Sequence, residues 1–243
     1  MKKLVTLVFA LFLTAGLTFG QNNEANIDQV DTDNTANIDQ DGANNDATIG
    51  QGVNNVDFTN PAVSIDLGGS PIFARDNEAE IEQDGNRNVA YITQGAGETS
   101  GSASGGDSDD SETSIDQDGD DNFADTGQGT FGGESDDDES TVEQDGNRND
   151  ASIAQGIFDS GQSKNNEATI EQTGNRNEAR INQGRNGSAE DNLAEIFQDG
   201  DDNLGTIFQF GTSHEAEIDQ NGDNDTATIN QNGHNNYAEI EQN

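Results

Sequence analysis

Cysteine is absent from this chain, which excludes a disulfide scaffold, thiolate zinc sites, a cysteine nucleophile and a lipid anchor of the lipoprotein type. Proline occurs only twice, and apolar residues make up 28% of the 243. Basic residues are few: 9 Lys and Arg stand against 49 Asp and Glu, for a formal net charge of −40. That balance repels nucleic acid and anionic membrane surfaces, and it leaves divalent cations and basic partners as candidates. After the N-terminal apolar run no stretch is apolar enough to span a bilayer. So little apolar material with so much charge of one sign ordinarily marks disorder, and it rules out a large globular core. Any core must be thin and long.

What the chain does have is repetition, and a disordered chain has no need of a phase. In Asn165–Gly184, NNEATIEQTGNRNEARINQG, one phrase is said twice. Asn166, Ala168, Ile170, Gln172 and Gly174 recur eleven positions on as Asn177, Ala179, Ile181 and Gln183. The general form is N-x-A-x-I-x-Q-x-G-x-x. Copies begin near Asn23, Asn34 and Asn45, with a degenerate one at Val56. Pairs follow at Asn77 and Asn88, Ser111 and Asn122, Asp138 and Asn149, Asn166 and Asn177, and Asn192 and Asn203. The last copies start at His214, Asp225 and Asn236. Extra material enters near 60–76, 96–110, 130–137, 157–165 and 185–191, always after a second copy. The working unit is therefore two copies, about 22 residues.

Residues 1–20 read as a secretory signal peptide: Lys2 and Lys3 are the basic region, Leu4–Leu17 the apolar region, and Thr18 and Gly20 the small residues before a cut at Gln21. The expected organisation is 1–20 signal peptide and 21–243 repeat domain, exported from the cell.

Within a copy, Asn, Ala, Ile and Gln alternate with Glu, Asp, Thr, Arg and Asn, which is the period of a strand with one face sequestered. The Gly two places after Gln, in GNRN or GDDN, is turn chemistry. An eleven-residue period also suits a helical coiled coil. A glycine in nearly every repeat, at about 1 kcal/mol each, and apolar residues at i, i+2 argue against it. The expectation is an all-β fold, a β-solenoid of stacked strand–turn–strand rungs of about 22 residues with irregular acidic loop insertions. Both ends of the stack look uncapped.

The inward amides are expected to form ladders, each side chain donating to its counterpart in the next rung. The stacking residues are Asn34, Gln40, Asn45, Gln51, Asn77, Gln83, Asn88, Gln94, Gln117, Asn122, Gln128, Gln144 and Asn149. They continue through Gln155, Asn166, Gln172, Asn177, Gln183, Asn192, Gln198, Asn203, Gln209, Gln220, Gln231, Asn236 and Gln242. The apolar line is Ile38, Ile49, Ile81, Ile92, Ile115, Ile153, Ile170, Ile181, Ile196, Ile207, Ile218, Ile229 and Ile240. The turn glycines are Gly42, Gly85, Gly119, Gly146, Gly174, Gly200, Gly211, Gly222 and Gly233.

These residues resemble the curlin repeat of curli fibres, Gln-x-Gly-x-x-Asn-x-Ala-x3-Gln. The pattern stands literally in Gln172–Gln183 and recurs in Gln83–Gln94 and Gln144–Gln155, and with single substitutions in Gln198–Gln209 and Gln220–Gln231. The resemblance implies a secreted β-solenoid that polymerises into extracellular fibres of a biofilm matrix. It also implies a nucleator or sister curlin subunit and an outer-membrane secretion channel as partners. Curlin has a Gly-rich leader between signal and repeats, and no equivalent precedes Asn23.

Other features have plainer readings. The acidic stretches Asp107–Glu112 and Glu134–Glu139 carry the oxygen ligands calcium takes, but their spacing matches neither an EF-hand nor a nonapeptide calcium repeat. They read first as solvated loops, and no cofactor is expected. Leu193, Phe197, Leu204, Phe208 and Phe210 stand where other copies carry acids or Thr, and are expected outward as a packing patch or beneath the 185–191 insertion. His214 and His234 read as tolerated polar residues, and no catalytic constellation is discernible. The expected function is a structural one, a fibre subunit growing by templated strand addition. The alternative is a monomeric adhesin that binds through its insertions.

Overall fold

A computed structural model of the chain describes residues 22–29, 33–52, 73–95, 107–130, 134–156, 162–184 and 188–243. The signal-peptide reading, the degenerate copy at Val56 and most of the first insertion lie outside these residues. The strands in chain order are β1 (Glu24–Gln29), β2 (Thr35–Ala43), β3 (Asp46–Gln51), β4 (Phe73–Arg75), β5 (Glu78–Asn86), β6 (Val89–Gln94) and β7 (Asp107–Asp109). Next come β8 (Glu112–Asp120), β9 (Phe123–Gln128), β10 (Glu134–Asp136), β11 (Glu139–Asn147), β12 (Asp150–Gln155), β13 (Gln162–Lys164) and β14 (Glu167–Asn175). The last are β15 (Glu178–Gln183), β16 (Ser188–Glu190), β17 (Leu193–Asp201), β18 (Leu204–Thr212), β19 (Glu215–Gln220), β20 (Thr226–His234) and β21 (Tyr237–Gln242).

First copies of each unit stack in an 8-stranded sheet, β2-β5-β8-β11-β14-β17-β19-β21. Second copies stack as β1-β3-β6-β9-β12-β15-β18, with β20 on β18, inside a 13-stranded sheet. Neighbours run parallel, as they must when each turn of the chain returns to the start of the next rung. The molecule is an all-β, β-solenoid-like stack. Register never slips: Ile38, Ile81, Ile115, Val142, Ile170, Ile196, Ile218 and Ile240 lie over one another in the smaller sheet. Ile27, Ile49, Ile92, Thr126, Ile153, Ile181, Ile207 and Ile229 do so in the larger. One residue of slip would turn every isoleucine out to water, which is why a two-residue period holds register so firmly.

The isoleucines and the alanines beside them close a dry line between the sheets, where interior members are almost wholly buried. Each Ile contributes about 1.5–3 kcal/mol by leaving water. At the two ends of the described stack Ile27, Ile38 and Ile240 are only partly covered.

The insertions are not loops throughout. In each, the three residues before the last form β4, β7, β10, β13 and β16, a separate parallel column joined to the larger sheet through β18. The uninterrupted rung explains it: Ala189 pairs with Gly211 and Glu190 with Thr212, so an insertion must deliver three residues to the place that Phe210–Thr212 fill directly. The middle residue of each is small and buried: Ala74, Ser108, Ser135, Ser163 and Ala189. The acidic stretches at 107–112 and 134–139 are thereby strand–turn–strand corners, not free loops.

Candidate functional site: the stacked ladders

Glutamine runs the length of both sheets. In the smaller sheet Nε2 donates to the next Oε1 from Gln40 to Gln83, Gln117, Gln144, Gln172, Gln198, Gln220 and Gln242, over 2.8–2.9 Å. In the larger sheet the series is Gln29, Gln51, Gln94, Gln128, Gln155, Gln183, Gln209 and Gln231, over 2.7–3.0 Å. From Gln40 onward the second hydrogen of each ladder amide crosses the core to a carbonyl of the facing sheet, as from Gln83 to Asp46 (3.3 Å) and from Gln94 to Glu78 (3.2 Å). Both hydrogens are needed, one along the stack and one across it. A carboxylate has none to give, so glutamine and not glutamate fills these positions. All the amides point the same way, giving the stack a polarity.

Asparagine behaves differently from the expected side-chain ladder. Asn45 Oδ1 accepts the backbone N–H of Asn88 (3.0 Å), and its Nδ2 donates to the Gly85 carbonyl one rung on (3.1 Å). The pattern repeats at Asn88, Asn122, Asn149, Asn177 and Asn203. On the other edge the donors of Asn34, Asn77, Asn166 and Asn192 reach Ala74, Ser108, Ala189 and Gly211, and Asn236 closes that column. The Asn side chain is one methylene shorter than Gln, so it bonds the backbone of the adjoining turn instead of its own counterpart. It satisfies donors and acceptors that a strand end otherwise leaves open.

The turn glycines Gly42, Gly85, Gly119, Gly146, Gly174 and Gly200 lie over one another in the smaller sheet. At Gly119 φ is +119°, and a Cβ there would stand 1.9 Å from the Gly146 carbonyl oxygen, so only glycine fits. Gly211 and Gly233 make the same contact on the larger sheet. Gly222 lies outside a strand, with its carbonyl taking the Asn203 amide at 2.7 Å. One further residue per turn is left-handed, including Arg87 and Arg176 at φ 61° and 59°. Each guanidinium forks onto an aspartate of the next rung: Arg87 on Asp121 (2.6 and 2.8 Å) and Arg176 on Asp202 (2.7 and 2.6 Å).

Titratable groups enter the Asn columns at three places. Asp138 is buried; its Oδ2 accepts from Ser135 Oγ (2.5 Å) and its Oδ1 from the Asn166 N–H (2.8 Å) and Nδ2 (3.0 Å). Burial pushes its carboxyl up to about 6 against these hydrogen bonds. His214, also buried, accepts the Asn236 N–H at Nδ1 (3.2 Å), so Nε2 carries the hydrogen and donates to the Phe210 carbonyl (3.2 Å). Asp225 takes the Asn place at the far end, its N–H bonded to Asn203. On the outer face of the larger sheet, burial and then Asp150 push the Asp125 carboxyl up to about 6.

The phenylalanines do not form one patch. Phe197 lies between Glu171 and Asp219 on the smaller sheet, with Leu193, and lines a shallow cavity of about 110 Å³ with Thr173 and Asp199. Phe208 lies between Asn182 and Asn230 on the larger sheet, with Leu204, and Phe210 pairs with Asn232. An eleven-residue shift moves a residue to the opposite sheet, so a sequence neighbour one copy on faces the other way. Each ring is half-buried. Among the described residues no three His, Cys, Asp or Glu side chains converge as a metal site.

Asn23, just before β1, and Ile27 and Gln29 within it belong to these columns beside the residues named from sequence, and the copy beginning near Asn23 was the signal for them. Two parallel sheets closed over amide and isoleucine columns define a structural β-solenoid. The curlin associated repeat matches the chain at residues 74–102, 164–190 and 189–222, so the chain carries repeats similar to those of the curlin family. That family is a structural, non-enzymatic one of extracellular curli fibre subunits. The matched stretches leave out the rungs of β8–β12. No curated protein matches the chain.

Proposed function

We propose that this protein is a secreted structural subunit, with residues 1–20 as its signal peptide and 21–243 as the repeat domain, that polymerises into curli-like extracellular fibres of a biofilm. The observation that carries the reading is the in-register glutamine ladder, whose members at both ends of the described stack keep the interior motif. Ala25, Ile27 and Gln29 of β1 match Ala227, Ile229 and Gln231 of β20, and Ala36, Ile38 and Gln40 of β2 match Ala238, Ile240 and Gln242 of β21. Stacking one copy on another would cover isoleucines left half exposed and continue both ladders with the same polarity. No step of this needs an active site. A nucleator or sister curlin subunit and an outer-membrane secretion channel are the partners the reading calls for.

The test is to dilute the chain from residue 21 onward out of denaturant at micromolar concentration, following dye binding and then imaging and diffracting the product. A lag followed by filaments with a meridional spacing of about 4.8 Å supports the fibre subunit. Added salt should shorten the lag by screening the stacked carboxylates. A monodisperse β-rich monomer that persists with salt and calcium overturns the reading.

A further inference from the structure

We propose that Asp138 is a proton-operated latch within the rod: protonated, it performs the donor role of the asparagine it replaces, and ionised, it leaves that bond unmade. The column shows what the position does elsewhere. Asn77 Nδ2 donates to Ser108 O (2.9 Å) and Asn166 Nδ2 to Ala189 O (3.0 Å), each one rung on. The carbonyl in the corresponding place above Asp138 is that of Ser163, which pairs in register with Ser135 below and Ala189 above. An ionised carboxyl has no hydrogen for it, while a protonated one has a single O–H, enough to replace the Asn donor.

Burial favours the protonated form, against hydrogen-bond donors that favour the ionised one. Ser135, Ser163 and Asn166 act on Asp138 from the packed elements, Ser111 lies behind Ser135 at 3.3 Å, and none of the four carries a charge. The charged side chains nearby, Asp136, Asp137, Glu139 and Lys164, are partly or fully exposed, and Lys164 is engaged by Asp136 at 2.6 Å. A buried carboxylate without a cation is costly, and among the described residues this one is held by hydrogen bonds. The carboxyl stands at about 6 in the fold against an ordinary value of 3.8, because of burial. A raised acid binds its proton more tightly in the folded state, so the rod gains stability as pH falls through about 6, with the gain complete below 3.8. The latch closes on mild acidification and loosens at neutral pH. This does not depend on fibre formation.

The experiment compares the wild-type chain with Asp138→Asn in denaturant unfolding from pH 8 to pH 4. All other carboxylates are common to both, so the broad benefit of neutralising them cancels in the difference. Asp138→Asn should be the more stable near neutrality, with a gap in folding constant that closes by roughly tenfold per pH unit below the midpoint. A gap that stays constant with pH, or an Asn variant less stable at pH 7.5, overturns the proposal. Carboxyl carbon resonances of the labelled rod give a second reading that holds for monomer or fibre. A titration present in the wild type, absent in Asp138→Asn and centred near 6 supports the latch, and one centred near 3.8 overturns it.

Discussion

The rungs of β8–β12 and those of β14–β20 share one register and differ in what fills it. In the second group the columns keep Asn166 and Asn177, Ala168 and Ala179, Ile170 and Ile181, with His214 and Asp225 for Asn and Gly205 for Ala toward the far end and every Ile retained. In the first, Ser111 and Asp138 stand for Asn, Thr113 and Ser140 for Ala, and Thr126 and Val142 for Ile. Yet the glutamines 117, 128, 144 and 155 and the glycines 119 and 146 are all retained. The difference separates two duties. Glutamine and glycine hold register and cannot be traded, because one uses both amide hydrogens and the other leaves no room for a Cβ. Asn, Ala and Ile fill space and satisfy backbone groups, which hydroxyls manage when they find partners. Thr113 Oγ1 donates to Gln128 Oε1 (2.8 Å) and meets Ser140 Oγ (3.0 Å). Thr126 Oγ1 is buried with no partner.

The comparison breaks most sharply at the seam between the two groups. A Cβ at Gly146 would stand 1.9 Å from the Gly174 carbonyl oxygen, both backbone. Gly146→Ala should therefore cost about 3 kcal/mol or more, read as a fall in the denaturant midpoint, and break the stack into two separately melting parts. A cost below about 1 kcal/mol would show that glycine is not what the seam requires.

A smaller effect comes from giving the regular rungs the substitution the others carry. Ile181 packs between Ile153 and Ile207 in register. Ile181→Thr removes apolar burial and adds a hydroxyl without a partner, for a loss of about 2–4 kcal/mol in chemical unfolding. The smallest effect is the reverse change. Thr126→Val keeps the shape and deletes the orphan hydroxyl, and a gain of about 1 kcal/mol is expected. If Thr126→Val instead loses stability, the hydroxyl has a role the register does not reveal.

Much of this was legible in the residues. Alternation of Asn, Ala, Ile and Gln over eleven positions points to strands with one dry face, and the spacing of copies points to rungs. Three things were not legible. Asparagine and glutamine look interchangeable as ladder amides, but the shorter side chain reaches a turn backbone and the longer one reaches its own kind. The strands at the ends of the insertions carry no motif beyond a small middle residue, such as Ser108 or Ala189, and take their place from the column they complete. Phe197 and Phe208 are one copy apart, which puts them on opposite sheets.

By itself the sequence determined the strand period, the rung, the identity of the inward residues and the likeness of the repeat to curlin's, because each follows from residue type at fixed spacing. The tertiary structure alone decided which backbone groups the asparagines satisfy, where the insertions rejoin the sheet and which face each aromatic ring occupies. It also set Asp138 in a buried place bonded to Ser135 and Asn166. Those depend on what lies one rung away, a distance of 22 to 43 residues along the chain that no local pattern spans.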